Sequence, residues 1–391
     1  MAAAQAASLG RKVALLERNQ VPGKKLAITG KGRCNLTNNC TPADCIANMT
    51  KNARFLYSAF HQFSPADTMA FFEGLGVPLK TERGERVFPV SDKASDIVQA
   101  MEKHCVDLGV TFVKGRAKKL ILKDGAIRGV EIDDGRKLFG EAVLIATGGL
   151  SYPKTGSSGD GYTLAKQAGH TVLPQIPSLV PVEEAGDTCR EMQGLSLKNV
   201  KISVYGEEKN PIYSDFGELL FTHFGLSGPT ILSASAHMRK AEEYRVVIDF
   251  KPALDEKTLD KRILRDMEKY ARKDLINALD ELLPQKSIPV IIARAGIDPR
   301  CKASELSRWE RAALLGQIKA FTVPVSGLRP VEEAVVTSGG VDVSAVEPKT
   351  MRSKLVDGLF FAGEVLDVDA YTGGFNLQIA FSTGYLAGQN L

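Results

Sequence analysis

The residues best suited to chemistry in this chain gather near its carboxyl end, in Gly358–Gly384, GLFFAGEVLDVDAYTGGFNLQIAFSTG. Gly363-Glu364 follows a short apolar run, Leu359-Phe360-Phe361-Ala362. Tyr371-Thr372-Gly373-Gly374-Phe375 then precedes Asn376-Leu377-Gln378-Ile379-Ala380-Phe381, where apolar residues recur at helical spacing. The pattern is a strand, an acidic turn and a helix whose start carries no bulky side chain. Such a helix start leaves backbone N–H groups free to meet an electron-rich ligand. A reduced flavin, with negative charge around N1 and the C2 carbonyl, is one. Glu364, at the strand's carboxyl end, is placed to hold sugar hydroxyls. An ordinary strand–turn–helix corner is the plain alternative.

A second group lies at Ile28-Thr29-Gly30-Lys31-Gly32-Arg33-Cys34-Asn35. Gly30 and Gly32 let backbone approach a ligand closely, and Lys24, Lys25, Lys31 and Arg33 add positive charge. That suits a pyrophosphate-and-flavin loop, with a solvated basic turn as the alternative. The spacing is not that of a Walker loop. His223, in Thr222-His223-Phe224-Gly225-Leu226-Ser227-Gly228-Pro229, is the candidate proton donor or acceptor, because histidine is the side chain suited to moving protons near neutral pH. A structural histidine bonding the turn is its alternative. Tyr152 and Tyr371 lie in loops beside glycine-rich segments, as pocket walls or acids. Cys40 and Cys45 have the CxxxxC spacing seen in flavin disulfide reductases, but Thr41 and Pro42 between them read as a helix cap and first turn, so reduced bystander thiols are the expectation and a redox-active dithiol the alternative. The six cysteines form no zinc-type CxxC pair, so no metal site is expected.

The elements that must position these groups begin with Ala2–Leu9, a helix stopped at Gly10, and a buried strand Val13-Ala14-Leu15-Leu16 ending in Glu17. Helix, strand and terminal acid match the second half of a dinucleotide-binding βαβ unit, where the acid bonds a ribose. The glycine turn of that unit falls roughly 20 residues before the acid, which places it ahead of Met1. The expectation is a gap in the sheet and weak or absent cofactor retention. Further on, two helices over 51–75 lead to a hairpin around Arg83-Gly84-Glu85 and a helix Ala94–Leu108. Strands follow at Val110–Val113, Ala117–Leu122, Gly129–Ile132 and Lys137–Phe139, with Asp124-Gly125 and Asp134-Gly135 as hairpin turns. The meander returns through Ala142–Ile145 to Ala146-Thr147-Gly148-Gly149. Short β-favouring runs at Val200–Tyr205, Glu218–Thr222, Arg245–Phe250 and Phe321–Val325 flank a helical, charged stretch from Leu254 to Ile318. Ser227 is expected to cap a helix, and Trp309 to pack between helices.

The chain has 391 residues, 25% charged and 44% hydrophobic, with a formal charge of +4. Two or three domains are the expectation. So small a charge does not imply a nucleic-acid surface. No apolar run reaches the roughly 18 residues of a membrane helix. The opening MAAAQAASLGRK lacks a basic segment ahead of an apolar core, which argues against a secretory signal and for a cytoplasmic protein.

ERNQVPGKKLAITGKGRCNLTN, ATGGLSYPKTGSSGDGY, LLFTHFGLSGPTIL and GLFFAGEVLDVDAYTGGFNLQIAFSTGYLAG, in this order along nearly the whole chain, resemble the YhiN/BaiN-like bacterial flavoprotein family. That family includes aminoacetone-oxidase-type and bile-acid enone reductase members. The resemblance implies an α/β fold of the two-dinucleotide-binding-domain type, with a glutathione-reductase-like FAD domain (1–190 and 328–391). It also implies an inserted β-rich substrate domain (191–252 and 319–327) and a helical domain (253–318). FAD would be bound non-covalently. By position, Glu17 matches the adenosine-ribose acid and Val113 the backbone beside the adenine. Lys24, Gly30, Lys31, Gly32, Arg33, Cys34 and Asn35 match the pyrophosphate and flavin loop, and Thr147, Gly148 and Gly149 the ATG strand end. Gly363, Glu364, Gly374, Phe375, Asn376 and Leu377 match the ribitol and flavin-carbonyl site.

The implied activity is FAD-dependent hydride transfer between flavin N5 and a small organic substrate, with reoxidation by O2 or reduction by NAD(P)H. There is no second dinucleotide fingerprint, so NAD(P)H would bind only transiently. Substrate and oligomeric state do not follow from sequence. A fumarate-reductase-like enoate reductase is one alternative, though no paired arginines stand near His223. A non-catalytic remnant that does not retain FAD is the other.

Overall fold

The computed structural model describes residues 1–240 and 242–391. Two compact units emerge, one of Met1–Ser178 with Val331–Leu391 and one of Leu179–Pro330.

In the first unit, helix Ala2–Ser8 leads to β1 (Ala14–Glu17). A short strand β2 (Thr37–Asn38) pairs with the hairpin β3 (Leu79–Glu82) and β4 (Arg86–Pro89). Helix Ala94–Asp107 then delivers β5 (Thr111–Lys114), which lies parallel to β1 from Ala14–Thr111 to Glu17–Lys114. A helical crossover between parallel neighbours is what such pairing requires. The meander β6 (Ala117–Lys123), β7 (Ala126–Ile132) and β8 (Lys137–Phe139) turns at both Asp-Gly pairs, with Asp124, Gly125 and Gly135 left-handed. After β9 (Val143–Ile145) comes β10 (Val172–Ser178).

The second unit carries β11 (Val182–Glu184), β12 (Ser196–Tyr205), β13 (Tyr213–Phe221), β14 (Gly225–Ser227), β15 (Tyr244–Asp249) and β16 (Phe321–Leu328). They close into a barrel in the order β11-β14-β13-β12-β15-β16. Alternate residues of these strands, among them Val200, Ile202, Val204, Val246 and Ile248, point inward, as the two-residue period of a strand demands. The helices Glu256–Lys269, Ile288–Arg294 and Arg308–Lys319 share one apolar cluster with the barrel, through Leu259, Ile263, Ile291 and Ile318.

Back in the first unit, β17 (Val336–Val341) is buried along its length and runs antiparallel to β10. β18 (Leu359–Phe361) runs parallel to β9. Among the described residues β1 pairs only with β5, while β18 pairs with β9 on one side and with an isolated bridge at Arg352 on the other. The final helix, Phe375–Asn390, is buried on several faces, including Phe375, Ile379, Phe381, Leu386 and Ala387. Its Gly388 admits the first helix: a Cβ there would stand 2.6 Å from the Ala2 carbonyl oxygen.

Two expectations fail. Trp309 is 85% exposed, because Ser307 caps its helix and the inward positions fall at Leu314 and Ile318. Ser227 ends β14, and the residue ahead of helix Pro229–Ser235 is Gly228 with no side-chain cap. The barrel takes Ser227 into strand pairing with Leu220, leaving the proline to start the helix.

Candidate functional site

The loop from Gly23 to Asn38 is strapped against the start of the final helix. Gly30 and Lys31 both take left-handed conformations, and Cys34 follows at φ 58, so the chain doubles back on itself. Asn35 is thereby set under the helix. In the orientation that satisfies its amide, Oδ1 accepts from Gly374 N–H at 3.0 Å while Nδ2 donates to the Val87 and Thr37 carbonyls. Asn38 Nδ2 donates to the Gly373 carbonyl at 3.1 Å, and Thr37 Oγ1 to Gln378 Oε1 at 2.6 Å. Gly374 has φ +100, and a Cβ on it would stand 2.3 Å from the carbonyl carbon and oxygen of Thr37. Only glycine fits there. The helix begins with no side-chain cap of its own and no acid in its first turn, so no carboxylate of its own first turn offsets the positive end of the helix dipole.

On the turn after β18, Glu364 joins segments distant in sequence. Its Oε2 accepts from Lys25 Nζ at 2.6 Å, and its Oε1 from Thr337 N–H at 2.9 Å and Ser151 Oγ at 3.2 Å. Lys25 also donates to Ser151 Oγ at 2.8 Å. Thr337 Oγ1 in turn accepts from Leu150 N–H at 2.8 Å. Gly149 makes this packing possible, since a Cβ there would reach 2.5 Å from Thr337 Oγ1 and 2.9 Å from Glu364 Oε1. A carboxylate offers about four lone-pair positions, and three are taken here, so one acceptor position remains.

At the other end, Glu17 closes β1. Its Oε1 accepts from Asn19 N–H at 2.7 Å and Asn19 Nδ2 at 2.8 Å. Among the described residues its Oε2 has no hydrogen-bond partner. Val113 sits opposite Leu16 in the adjoining strand. A cleft of ≈ 490 Å³ opens at the carboxyl ends of these strands, lined by Arg18, Lys114, Gly115, Arg116 and Arg136 with Asp133 and Asp134. Arg116 grips Asp160 with two bonds, at 2.8 and 2.5 Å. Burial alone would raise the Asp160 carboxyl, but Arg116, Ser158 and Arg18 outweigh it and hold it below the usual range.

The remaining candidates are placed as follows. Lys24, Lys31 and Thr147 are exposed. Gly148 lies against Ser157 and Gly32 in open space. Arg33 is turned away to Glu82 and Asp92 and stacks 4.2 Å over Phe88, so its charge is already matched. Cys34 is fully buried, and burial pushes its thiol up to about 12, which makes it an inert packing group. Gly363 N–H donates to Thr383 Oγ1, and Asn376 clamps the preceding turn through both Ala370 backbone groups. Phe375 is buried and Leu377 partly so. Tyr152 adopts φ 52 and is 39% exposed, while Tyr371 N–H donates to the Asn48 carbonyl. His223 belongs to the second unit, exposed in the turn between β13 and β14 with its ring edge-on to Phe224 at 5.0 Å.

Sequence reading gave Lys25 only as one charge among several and missed Ser151 and Thr337. Nothing local distinguishes Lys25 from Lys24, and Thr337 sits in a buried strand, VTSGGV, with no alternating pattern to mark it. Among the described residues no group of His, Cys, Asp and Glu could hold a metal ion. No helix there is long and apolar enough to cross a membrane.

The 3-dehydro-bile acid delta(4,6)-reductase of Clostridium scindens is 32% identical over 385 residues, covering 97% of this chain and 92% of the relative. The ribosomal RNA dihydrouridine synthase of Escherichia coli is 32% identical over 389 residues, covering 99% and 94%. Among solved structures, the open conformation of a flavocytochrome c3 fumarate reductase superposes with a TM-score of 0.51 at 17% identity, over 100% of this chain and 76% of that one. That likeness shows a shared fold. The model of the HI0933-like protein Rossmann domain matches residues 1–390, and the chain belongs to that family.

Proposed function

We propose that the protein is an FAD-dependent oxidoreductase that saturates a carbon–carbon double bond conjugated to a carbonyl in a small organic substrate, drawing electrons from NAD(P)H. The observation that carries the cofactor reading is the start of the final helix, which has no side-chain cap of its own and is held by Asn35, with Glu364 on the turn that packs against Ala380 and Thr383 of the same helix. Bound flavin would supply hydride exchange at N5. The chain's own residues would do the rest. The first-turn N–H groups of the helix would meet the flavin's electron-rich edge, and the remaining acceptor position of Glu364 would take a ribitol hydroxyl. The open Oε2 of Glu17 would take the ribose hydroxyls. Tyr152 and Tyr371 are proposed as proton donors, and His223 as a further candidate proton donor or acceptor.

The substrate class rests on the two relatives. A bile-acid delta(4,6)-reductase and a dihydrouridine synthase, by their names, each saturate a ring double bond conjugated to a carbonyl. The small formal charge of +4 favours a small molecule over RNA for this chain. The test is anaerobic. FAD-loaded protein is reduced, and the return of absorbance at about 450 nm, a general property of oxidised flavin, is followed on adding a conjugated steroid dienone, a uridine-containing RNA, or oxygen. Reoxidation by the dienone supports the proposal, reoxidation by RNA alone replaces the substrate class, and reoxidation by oxygen alone overturns the reductase reading.

A further inference from the structure

Two thiols outside this site are poised against each other. Cys40 ends the loop after β2, and Cys45 lies in helix Pro42–Ala47, whose capping box joins Thr41 and Asp44. That box and the Cys45 N–H bond to the Thr41 carbonyl at 3.0 Å fix the turn between them. The sulfurs stand 3.6 Å apart. A disulfide needs about 2.05 Å, so the sulfurs have about 1.5 Å to close within an already closed turn. Cys40 is half-buried and reachable, whereas Cys45 is fully buried behind it. The other buried thiols, Cys34, Cys105 and Cys189, have no such partner among the described residues.

We propose that Cys40 and Cys45 form a redox-active dithiol that exchanges with low-molecular-weight disulfides. Cys40 is the attacking group. The thiol of Cys45, donating to it, holds it below the usual thiol value, and that same contact together with burial raises Cys45. The Cys40 thiolate attacks one sulfur of the external disulfide and releases a first thiol, leaving a mixed disulfide on Cys40. Cys45 then gives up its proton and attacks Cys40 Sγ, releasing the second thiol. Two cysteine thiols are oxidised to one disulfide, and one external disulfide is reduced to two thiols. The segment that follows holds the approach to the final helix, through Tyr371 N–H to Asn48 O at 3.1 Å and Thr50 N–H to Asp369 O at 3.0 Å. The bridge would therefore tie down the turn leading into this segment.

The test treats the reduced full-length protein with glutathione disulfide, quenches in acid and maps the tryptic peptide Cys34–Lys51. The expected product is lighter by two hydrogens, with no backbone fragments arising between residues 40 and 45, and dithiothreitol reverses it. In Cys45→Ser the glutathione adduct on Cys40 persists, and in Cys40→Ser neither bridge nor adduct forms. Wild-type protein that stays fully reduced, keeps a glutathione adduct on Cys40, or bridges through Cys34 overturns the proposal without reference to any variant. None of these readouts depends on flavin binding.

Discussion

Replacing Gly374 with alanine attacks the contact that holds the glycine–lysine loop to the final helix. At φ +100 an L-residue is strained, which costs of order 1–3 kcal/mol. The new Cβ would also lie 2.3 Å from the Thr37 carbonyl carbon and oxygen. These are backbone atoms in a paired strand and cannot rotate aside, so overpacking adds about 1–3 kcal/mol. Together they predict a loss of about 2–6 kcal/mol. At about 2–4 °C per kcal/mol for a domain of this size, the unfolding transition should fall by roughly 4–24 °C in a calorimetric scan. Gly32→Ala is the control. Gly32 has φ +84 but open space around its Cβ direction, so it carries the conformational cost of about 1–2 kcal/mol alone. The reasoning is refuted if Gly374→Ala melts no lower than Gly32→Ala.

Two further outcomes are expected. His170 is buried, its Nε2 shares a 2.7 Å bond with Ser353, its Nδ1 has no partner, and burial lowers it from 6.5. The unfolded chain therefore binds this proton first, so the stabilisation is complete above pH 6.5 and is lost as pH falls from 6.5 toward the folded value. Urea unfolding at pH 7.5 and 5.5 should show a smaller pH-dependent loss in His170→Gln than in wild type, and an equal loss would discard this account. Lys25→Met should destabilise by roughly 1–3 kcal/mol, below the cost of breaking a fully buried pair because both partners are partly solvated. Glu364→Gln, which still accepts from Ser151 and Thr337, should cost less, and the reverse order in urea unfolding would show that Lys25 is not what holds Glu364 in place.

The local chemistry of this chain was legible because it is written in neighbouring residues. Asp124-Gly125 and Asp134-Gly135 forced the meander turns, Thr41-Pro42 forced a capped helix, and Leu359–Phe361 followed by Gly373-Gly374 gave the strand and helix of the site. Glu17 was placed at a strand end because helix, glycine stop and apolar run all pointed there. Trp309 was misread for a reason of the same kind: a large apolar residue suggests burial, but the phase of a helix is set by its cap and by what packs beneath it.

What only the tertiary structure decided are pairings between residues hundreds of positions apart. Lys25 and Glu364 are 339 residues apart in sequence, and the choice of Lys25 over Lys24 depends on a loop that two left-handed residues, Gly30 and Lys31, fold back on itself. Closure of the barrel depends on three-residue strands, β11 and β14, too short to carry a periodic signal. Sequence specifies conformational preference over a few residues, whereas side-chain partners are chosen by which surfaces packing brings together. That is why the glycine-rich turns could be read in advance and the lysine that meets Glu364 could not.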